Sequence, residues 1–297
     1  MSANHRLFQG SIVALVTPMK DNGNIDYPGL CRLIDWHIEC GTSGLVIMGT
    51  TGESAAMTEQ EHFKIVETAI AHSDKRIPII AGCSSPATQK AVILAKSLNE
   101  LKPDGFLCVT PYYVKALQEG LYRHFSEVAE ACQSPVLLYN VPSRTACDLK
   151  NETVIKLANN KNIVGIKDAV GDITRSKELI ESIGSHFCLL SGDDPTAYEF
   201  MKSGGVGVIT VTGNVAPDKM SRWCKLLLEG EMVESKAISD NLKPLHDAMF
   251  VESNPMPAKW ALKRLERIEA GIRLPLTQPS IKAQQAIENA MLECGIL

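Results

Sequence analysis

The sequence predicts a (β/α)8 barrel of the α/β class with a C-terminal helical appendage, and three observations carry that reading. Eight short apolar runs can be marked along the chain, continuous rather than alternating, as expected of strands covered on both faces. Each is trailed by an amphipathic segment of helical period, so a βα unit recurs every ~20–35 residues, which is the arithmetic of a barrel. After Glu229 the strand signal stops and only helical patterns remain. The division that follows is a catalytic barrel over 1–229 and a helical domain over 230–297, packed on the barrel or on a partner subunit. A doubly wound open sheet is the alternative architecture. It seldom runs to eight regular units and usually begins with a dinucleotide-binding fingerprint, and none follows the first strand here.

The expected strands are Ile12–Val16, Leu45–Met48, Pro78–Ala81, Gly105–Val109, Val136–Asn140, Ile163–Lys167, Phe187–Leu190 and Val206–Val211. Between the first two, Tyr27 to Cys40 repeats Leu30, Leu33, Ile34 and Ile38 at helical spacing. Thr58-Glu59-Gln60-Glu61 reads as a capping box opening a helix that carries Phe63, Val66 and Ile70. Ser85-Pro86 reads as an N-cap followed by proline at the first helical position. The appendage shows helical patterns over Met232–Ala248, Pro257–Ala270 and Pro279–Leu292.

Composition narrows the function classes. The chain has 297 residues, a formal net charge of −4 and dispersed Lys and Arg, so no basic face is expected for nucleic acid. No apolar stretch approaches the ~20 residues of a membrane span. The stretch Met1-Ser2-Ala3-Asn4-His5-Arg6-Leu7-Phe8 has no secretory apolar region. The nine cysteines are odd in number, form no C-x-x-C pair, and include Cys108 and Cys188 inside apolar runs, where a thiol is a small hydrophobe. A reducing cytoplasm is expected rather than a disulfide framework. The histidines lack metal-ligand spacing, so no metal is expected.

In a barrel the reacting groups belong just after the strands, on the face made by the βα loops. There the chain places Gly49-Thr50-Thr51-Gly52-Glu53-Ser54, Thr110-Pro111-Tyr112-Tyr113, Tyr139-Asn140-Val141-Pro142-Ser143-Arg144-Thr145, Lys167, and Ser191-Gly192-Asp193-Asp194. Lys167 closes the run Asn162 to Ala169 as the one ammonium in it. A strand-end lysine ordinarily snorkels to water. Beside apolar walls, hydroxyls, phenols and one guanidinium it is instead suited to imine formation, because desolvation favours the neutral amine. A phenol with hydroxyl partners can relay protons without bringing a full charge into the pocket. The Gly49–Gly52 amides and hydroxyls suit a carboxylate, and Arg144 suits a second one bidentately. Gly204-Gly205-Val206-Gly207 is either a phosphate cradle or the lead-in to the last strand.

On these motifs, together with Gly165-Ile166-Lys167, the chain resembles the dihydrodipicolinate synthases, in the pyruvate-dependent class I aldolase family that includes N-acetylneuraminate lyase. The likeness runs from Gly10-Ser11 through Leu274-Pro275. It implies a lyase acting through a Schiff base between Lys167 and pyruvate, with no other cofactor. Tyr139, Thr50 and Tyr113 would relay protons, Tyr113 reaching in from a neighbouring subunit. Thr51, Ile209 and Gly192 would line the pyruvate site, and Arg144 would take the carboxylate of L-aspartate-4-semialdehyde, on the route to diaminopimelate and lysine. A cytoplasmic homotetramer, a dimer of dimers, is implied too. The rival readings are a neighbouring aldolase of 2-keto-3-deoxy sugar acids, which generally lacks the Pro-Ser-Arg-Thr context of Arg144, and a catalytically silent ligand-binding barrel, which would be expected to have lost Lys167 or Tyr139.

The same resemblance bears on regulation. Lysine-inhibited members bind lysine in a cleft at the tight-dimer interface, and the positions matching Ser54, Ala55, His62 and Tyr112 are retained. Glu59 stands where a histidine is usual, Pro86 where an asparagine is usual, and Lys90 where a glutamate meets the ligand. Weak or absent inhibition by lysine is expected.

Overall fold

The computed structural model describes residues 8–184 and 186–297. Eight strands close in sequence order into an all-parallel barrel, with β1 pairing both β2 and β8, which excludes the open sheet. They are β1 Gly10–Ala14, β2 Gly44–Ile47, β3 Ile79–Gly82, β4 Gly105–Val109, β5 Val136–Asn140, β6 Ile163–Asp168, β7 Cys188–Ser191 and β8 Gly207–Thr210. Every one falls within a residue or two of its expected place, because a run apolar on both faces has nowhere to go but between two packed layers.

The helices that cover the barrel are α1 Tyr27–Glu39, α2 Glu59–Ser73, α3 Thr88–Leu98, α4 Gln118–Ala131, the single turn α5 Pro142–Thr145, α6 Asn151–Leu157, α7 Ile173–Ile183, α8 Ala197–Lys202 and α9 Pro217–Glu229. Three more follow: α10 Met232–Ala248, α11 Met256–Arg264 and α12 Ile281–Glu293. They pack on α9 and on one another. The stretch 265–270 of the expected Pro257–Ala270 helix is not helical, because Glu266 takes a left-handed φ of 57° just past the end of α11.

Two apolar layers result. The barrel interior holds Ile12, Val46, Ile80, Leu107, Leu137, Leu190 and Ile209, closed at the amino-terminal end by Phe8, all fully buried. The outer layer lies between the sheet and the helices. A Cβ on Gly105 would come within 2.6 Å of Phe8 Cζ, so glycine makes room for that plug.

The capping box forms as expected: Glu61 N donates to Thr58 Oγ1 at 3.2 Å and Thr58 N to Glu61 Oε2 at 2.9 Å. Ser85-Pro86 does not begin a helix. The helix starts at Thr88, and Ser85 Oγ only accepts from Ala87 N at 3.3 Å. The physical reason is next door, where Ser84 Oγ is held by Val109 N at 2.9 Å, tethering the loop across to β4 and delaying the helix past the proline. The Gly204–Gly207 run leads into β8 at the amino-terminal end of the barrel, far from the strand carboxyl ends. A Cβ on Gly207 would meet Gly10 O at 2.4 Å, so that glycine permits close β1–β8 approach. The phosphate-cradle reading is discarded.

Among the described residues no helix is long and apolar enough to cross a membrane. The expectation about a secretory leader falls mainly on residues 1–7, outside the described residues.

Candidate active site

The side chain of Lys167 reaches the site through an irregularity in β6. Val136 pairs with Ile163, but the next pair is Leu137 with Gly165, so Val164 is an extra residue. Such a bulge re-aims the side chains beyond it. Tyr139 and Lys167 thereby become register partners and face the same way, into the barrel mouth. The Lys167 ammonium lies 4.3 Å from the centroid of the Tyr139 ring.

Burial pulls the Lys167 pKa down to about 8, opposed by the Asp194 carboxylate and assisted by the Arg144 guanidinium. Burial likewise pushes the Tyr139 phenol up to about 12, against Arg144 and a hydrogen bond with Thr50, both of which lower it. At neutral pH the phenol is therefore a neutral donor, and a useful share of the amine is unprotonated.

Gly192 gives room to the lysine stem. A Cβ there would sit 2.8 Å from Lys167 Cε and 2.9 Å from Cγ, so the lysine stem lies against this backbone. The strand-end backbone here is further fixed by Gly192 N donating to Asp168 O at 2.7 Å. Ile209, fully buried on β8, contributes to the apolar floor.

The loop after β2 turns sharply. Met48 has φ 61°, and a Cβ on Gly82 would strike Met48 O at 2.1 Å, so β3 ends in glycine to let this turn pass. The turn delivers Thr50 to Tyr139 and leaves Thr51 buried, its Oγ1 accepting from Asn254 Nδ2 at 2.9 Å. Arg144 is the third residue of the α5 turn, its side chain exposed at the rim, donating from Nη2 to Asn254 O at 3.5 Å.

Tyr113 is not brought to this group within the chain. It sits at φ 75° in the loop after β4, is 90% exposed, and its backbone N donates to Thr145 O at 3.3 Å. Tyr112, Val114 and Leu117 beside it are exposed as well.

Sequence reasoning missed Lys259 and Asn254, and gave no role to Glu53 and Asp194, which lie within the strand-end motifs. Glu53 and Lys259 form an ion pair buried at 1% and 3% side-chain exposure, docking α11 on the β2 loop. Burial lowers the Lys259 pKa while Glu53 opposes it. The signal was present: Lys259 stands among Pro257, Ala258, Ala261 and Leu262, all buried, on the apolar face of α11. Asp194 Oδ2 accepts from Val211 N at 2.9 Å and Thr212 N at 2.8 Å, holding the loop after β8. Asn254 gave no signal at all. Among the described residues, no three His, Cys, Asp or Glu side chains are placed to hold a metal.

A partly neutral amine, a neutral phenol, hydroxyl and amide donors and one rim guanidinium form a site for covalent imine chemistry on a small anionic carbonyl compound. A model of the Dihydrodipicolinate synthetase family matches residues 7–293. The chain is 46% identical to a 4-hydroxy-tetrahydrodipicolinate synthase of Pseudomonas aeruginosa and 47% identical to one of Escherichia coli, in each case over 98% of this chain and 100% of the relative. Among solved structures it is similar to the chloride-inhibited dihydrodipicolinate synthase of Acinetobacter baumannii complexed with pyruvate. That match has a TM-score of 0.95 and 45% identity, and covers 97% of this chain and 99% of the other. A lysine-bound dihydrodipicolinate synthase of Cyanidioschyzon merolae matches with a TM-score of 0.95 and 34% identity, covering 98% of this chain and 100% of that one.

Proposed function

Since the chain belongs to the dihydrodipicolinate synthetase family, we propose that Lys167 carries a 4-hydroxy-tetrahydrodipicolinate synthase reaction through a Schiff base with pyruvate. The enzyme is a lyase of the class I aldolase type, and its product enters diaminopimelate and lysine biosynthesis. The single observation that most supports the reading is the buried Lys167 amine beside the Tyr139 phenol, with a pKa near 8.

The steps follow from the groups present. The neutral Lys167 amine adds to the C2 carbonyl of pyruvate, one proton is taken up and water leaves, giving an iminium. That cation acidifies the C3 methyl, and loss of one proton makes an enamine. The enamine carbon attacks the aldehyde of L-aspartate-4-semialdehyde, and the new alkoxide takes a proton. The amino group of that second substrate then adds to the iminium carbon, closing the ring and expelling the lysine. Tyr139 with Thr50 is suited to give the alkoxide its proton, because its phenol, at a pKa of about 12, gives one up only to a strong base. No external cofactor enters the scheme.

Thr51 and the neighbouring backbone are assigned to the pyruvate carboxylate, with Ile209 and Gly192 shaping its pocket, and Arg144 to the carboxylate of the semialdehyde. Tyr113, solvent-exposed in the single chain, is assigned to the site of a neighbouring subunit. A cytoplasmic homotetramer built as a dimer of dimers belongs to the same proposal.

A condensation assay with pyruvate and L-aspartate-4-semialdehyde tests it. Turnover of the wild type, abolished in Lys167→Ala, is expected. Turnover only with sugar-acid-derived aldehydes, or none with any aldehyde, would overturn it.

A further inference from the structure

Asn254 belongs to no motif and lies in the turn between α10 and α11, yet it touches both carboxylate-binding residues of the proposed site. Its side-chain Nδ2 donates to Thr51 Oγ1 at 2.9 Å, and its main-chain oxygen accepts from Arg144 Nη2 at 3.5 Å. The residue is 5% exposed, and its Oδ1 is buried without a hydrogen-bond partner among the described residues. The turn is held against the barrel by the Lys259–Glu53 ion pair a few residues on.

A threonine hydroxyl has one hydrogen to give and two lone pairs to fill. In Thr51 the Asn254 amide fills one lone pair, and the hydroxyl donates to no acceptor among the described residues. Its hydrogen is thus left for whatever enters the site. A hydroxyl with no such neighbour rotates freely and must be ordered when substrate binds, whereas this one is preset as a donor.

We propose that Asn254 is a positioning residue that fixes the Thr51 hydroxyl as a donor to the carboxylate of the keto acid bound at Lys167. This rests on the function proposed above. The division of labour is specific: the side chain of Asn254 serves the first substrate through Thr51, and its main-chain oxygen braces Arg144 for the second. Side-chain substitutions therefore act on pyruvate and spare the aldehyde.

Steady-state kinetics of Asn254→Ala and Asn254→Asp test this, with the wild type and Thr51→Val alongside. Asn254→Ala should raise KM for pyruvate about five- to thirtyfold, the effect of one buried hydrogen bond, and leave KM for L-aspartate-4-semialdehyde within about twofold. Asn254→Asp, nearly isosteric, should be worse, because a carboxylate takes the Thr51 hydrogen for itself and repels an anionic substrate. In the Thr51→Val background Asn254→Ala should add less than about twofold, as expected of residues acting through one contact.

An Asn254→Asp enzyme with wild-type pyruvate affinity would overturn the proposal, since the amide would then be accepting from Thr51 rather than donating to it. Undiminished effects in the Thr51→Val background would do the same. So would loss of folding in both Asn254 variants by circular dichroism, which would make Asn254 a folding element. A wild type that does not condense the two substrates would instead remove the function on which the proposal rests.

Discussion

Lys167 and Tyr139 are register partners on neighbouring strands, with the lysine nitrogen 4.3 Å from the centre of the phenol ring. The contact couples two opposite shifts with one cause. Burial lowers the pKa of the amine and raises that of the phenol, so both are uncharged forms of themselves more often than in water. An ammonium over an aromatic face is attracted to it, which limits how far the lysine is pushed toward neutrality.

The first prediction concerns pH. With a pKa near 8 instead of 10.5, about a tenth of Lys167 is neutral at pH 7. Labelling of the enzyme by pyruvate and cyanoborohydride should accelerate about tenfold per pH unit below 8 and level off above it. The added mass should sit on the peptide containing Lys167. A rate still climbing at pH 10 would show that the amine is not depressed.

Gly192→Ala should disable the lysine without unfolding the barrel. The new Cβ would lie 2.8 Å from both Lys167 Cε and Ala169 Cβ, so the lysine stem must move. Since misplacement of a reacting group by about 1 Å can cost a hundredfold, pyruvate labelling should fall roughly ten- to hundredfold. Thermal unfolding measured in parallel should shift by only a few degrees. Full labelling activity would place Lys167 elsewhere.

Arg144→Ala should damage use of L-aspartate-4-semialdehyde far more than imine formation. A charge-assisted bidentate contact is worth roughly 1.5–3 kcal/mol, so kcat/KM for the aldehyde should drop about ten- to hundredfold or more. A small rise in the Lys167 pKa is expected as well, because Arg144 contributes to depressing it. Equal losses in aldehyde use and pyruvate labelling would reassign the guanidinium.

Tyr113 is the residue a single chain leaves in solvent. If it completes a neighbour's site, Tyr113→Phe should cut turnover with the oligomer intact by light scattering. Mixing inactive Tyr113→Phe and Lys167→Ala subunits should then restore activity in hybrids. Hybrids that form and remain dead would mean each subunit builds its site alone.

Millimolar L-lysine should inhibit weakly or not at all. Lys90 and Glu59 are exposed, and Pro86 has no amide to offer. His62 is buried with Nε2 bound to Gly82 O at 2.9 Å, and burial holds its pKa near 4, so it carries no charge there. Two like charges ~4 Å apart cost roughly 1 kcal/mol in water and about 4 at a partly buried site. With the lost attraction this amounts to a roughly thousandfold weakening. Half-inhibition well below a millimolar in a titration would refute it, and would point to Glu59 and Tyr112 as the lysine ligands.

By itself the chain determined the eight strands, the capping box at Thr58 and the placement of polar residues at the strand ends, because each is written locally. Continuous apolar runs, a Thr and Glu three apart, and polar groups just past a strand need no distant partner to be read. Which way Lys167 faces was decided by the tertiary structure. Strict alternation from Ile163, which packs outward, would point Lys167 outward too, and only the slip between Val136 and Leu137 turns it inward beside Tyr139. Nothing in the polarity of Ile163-Val164-Gly165-Ile166 marks that slip, since all four are apolar. The pairs Asn254–Thr51 and Lys259–Glu53 join residues 203 and 206 positions apart. Contacts at such separation leave no period in the sequence, and they form only once the closed barrel brings its C-terminal turn back over the mouth.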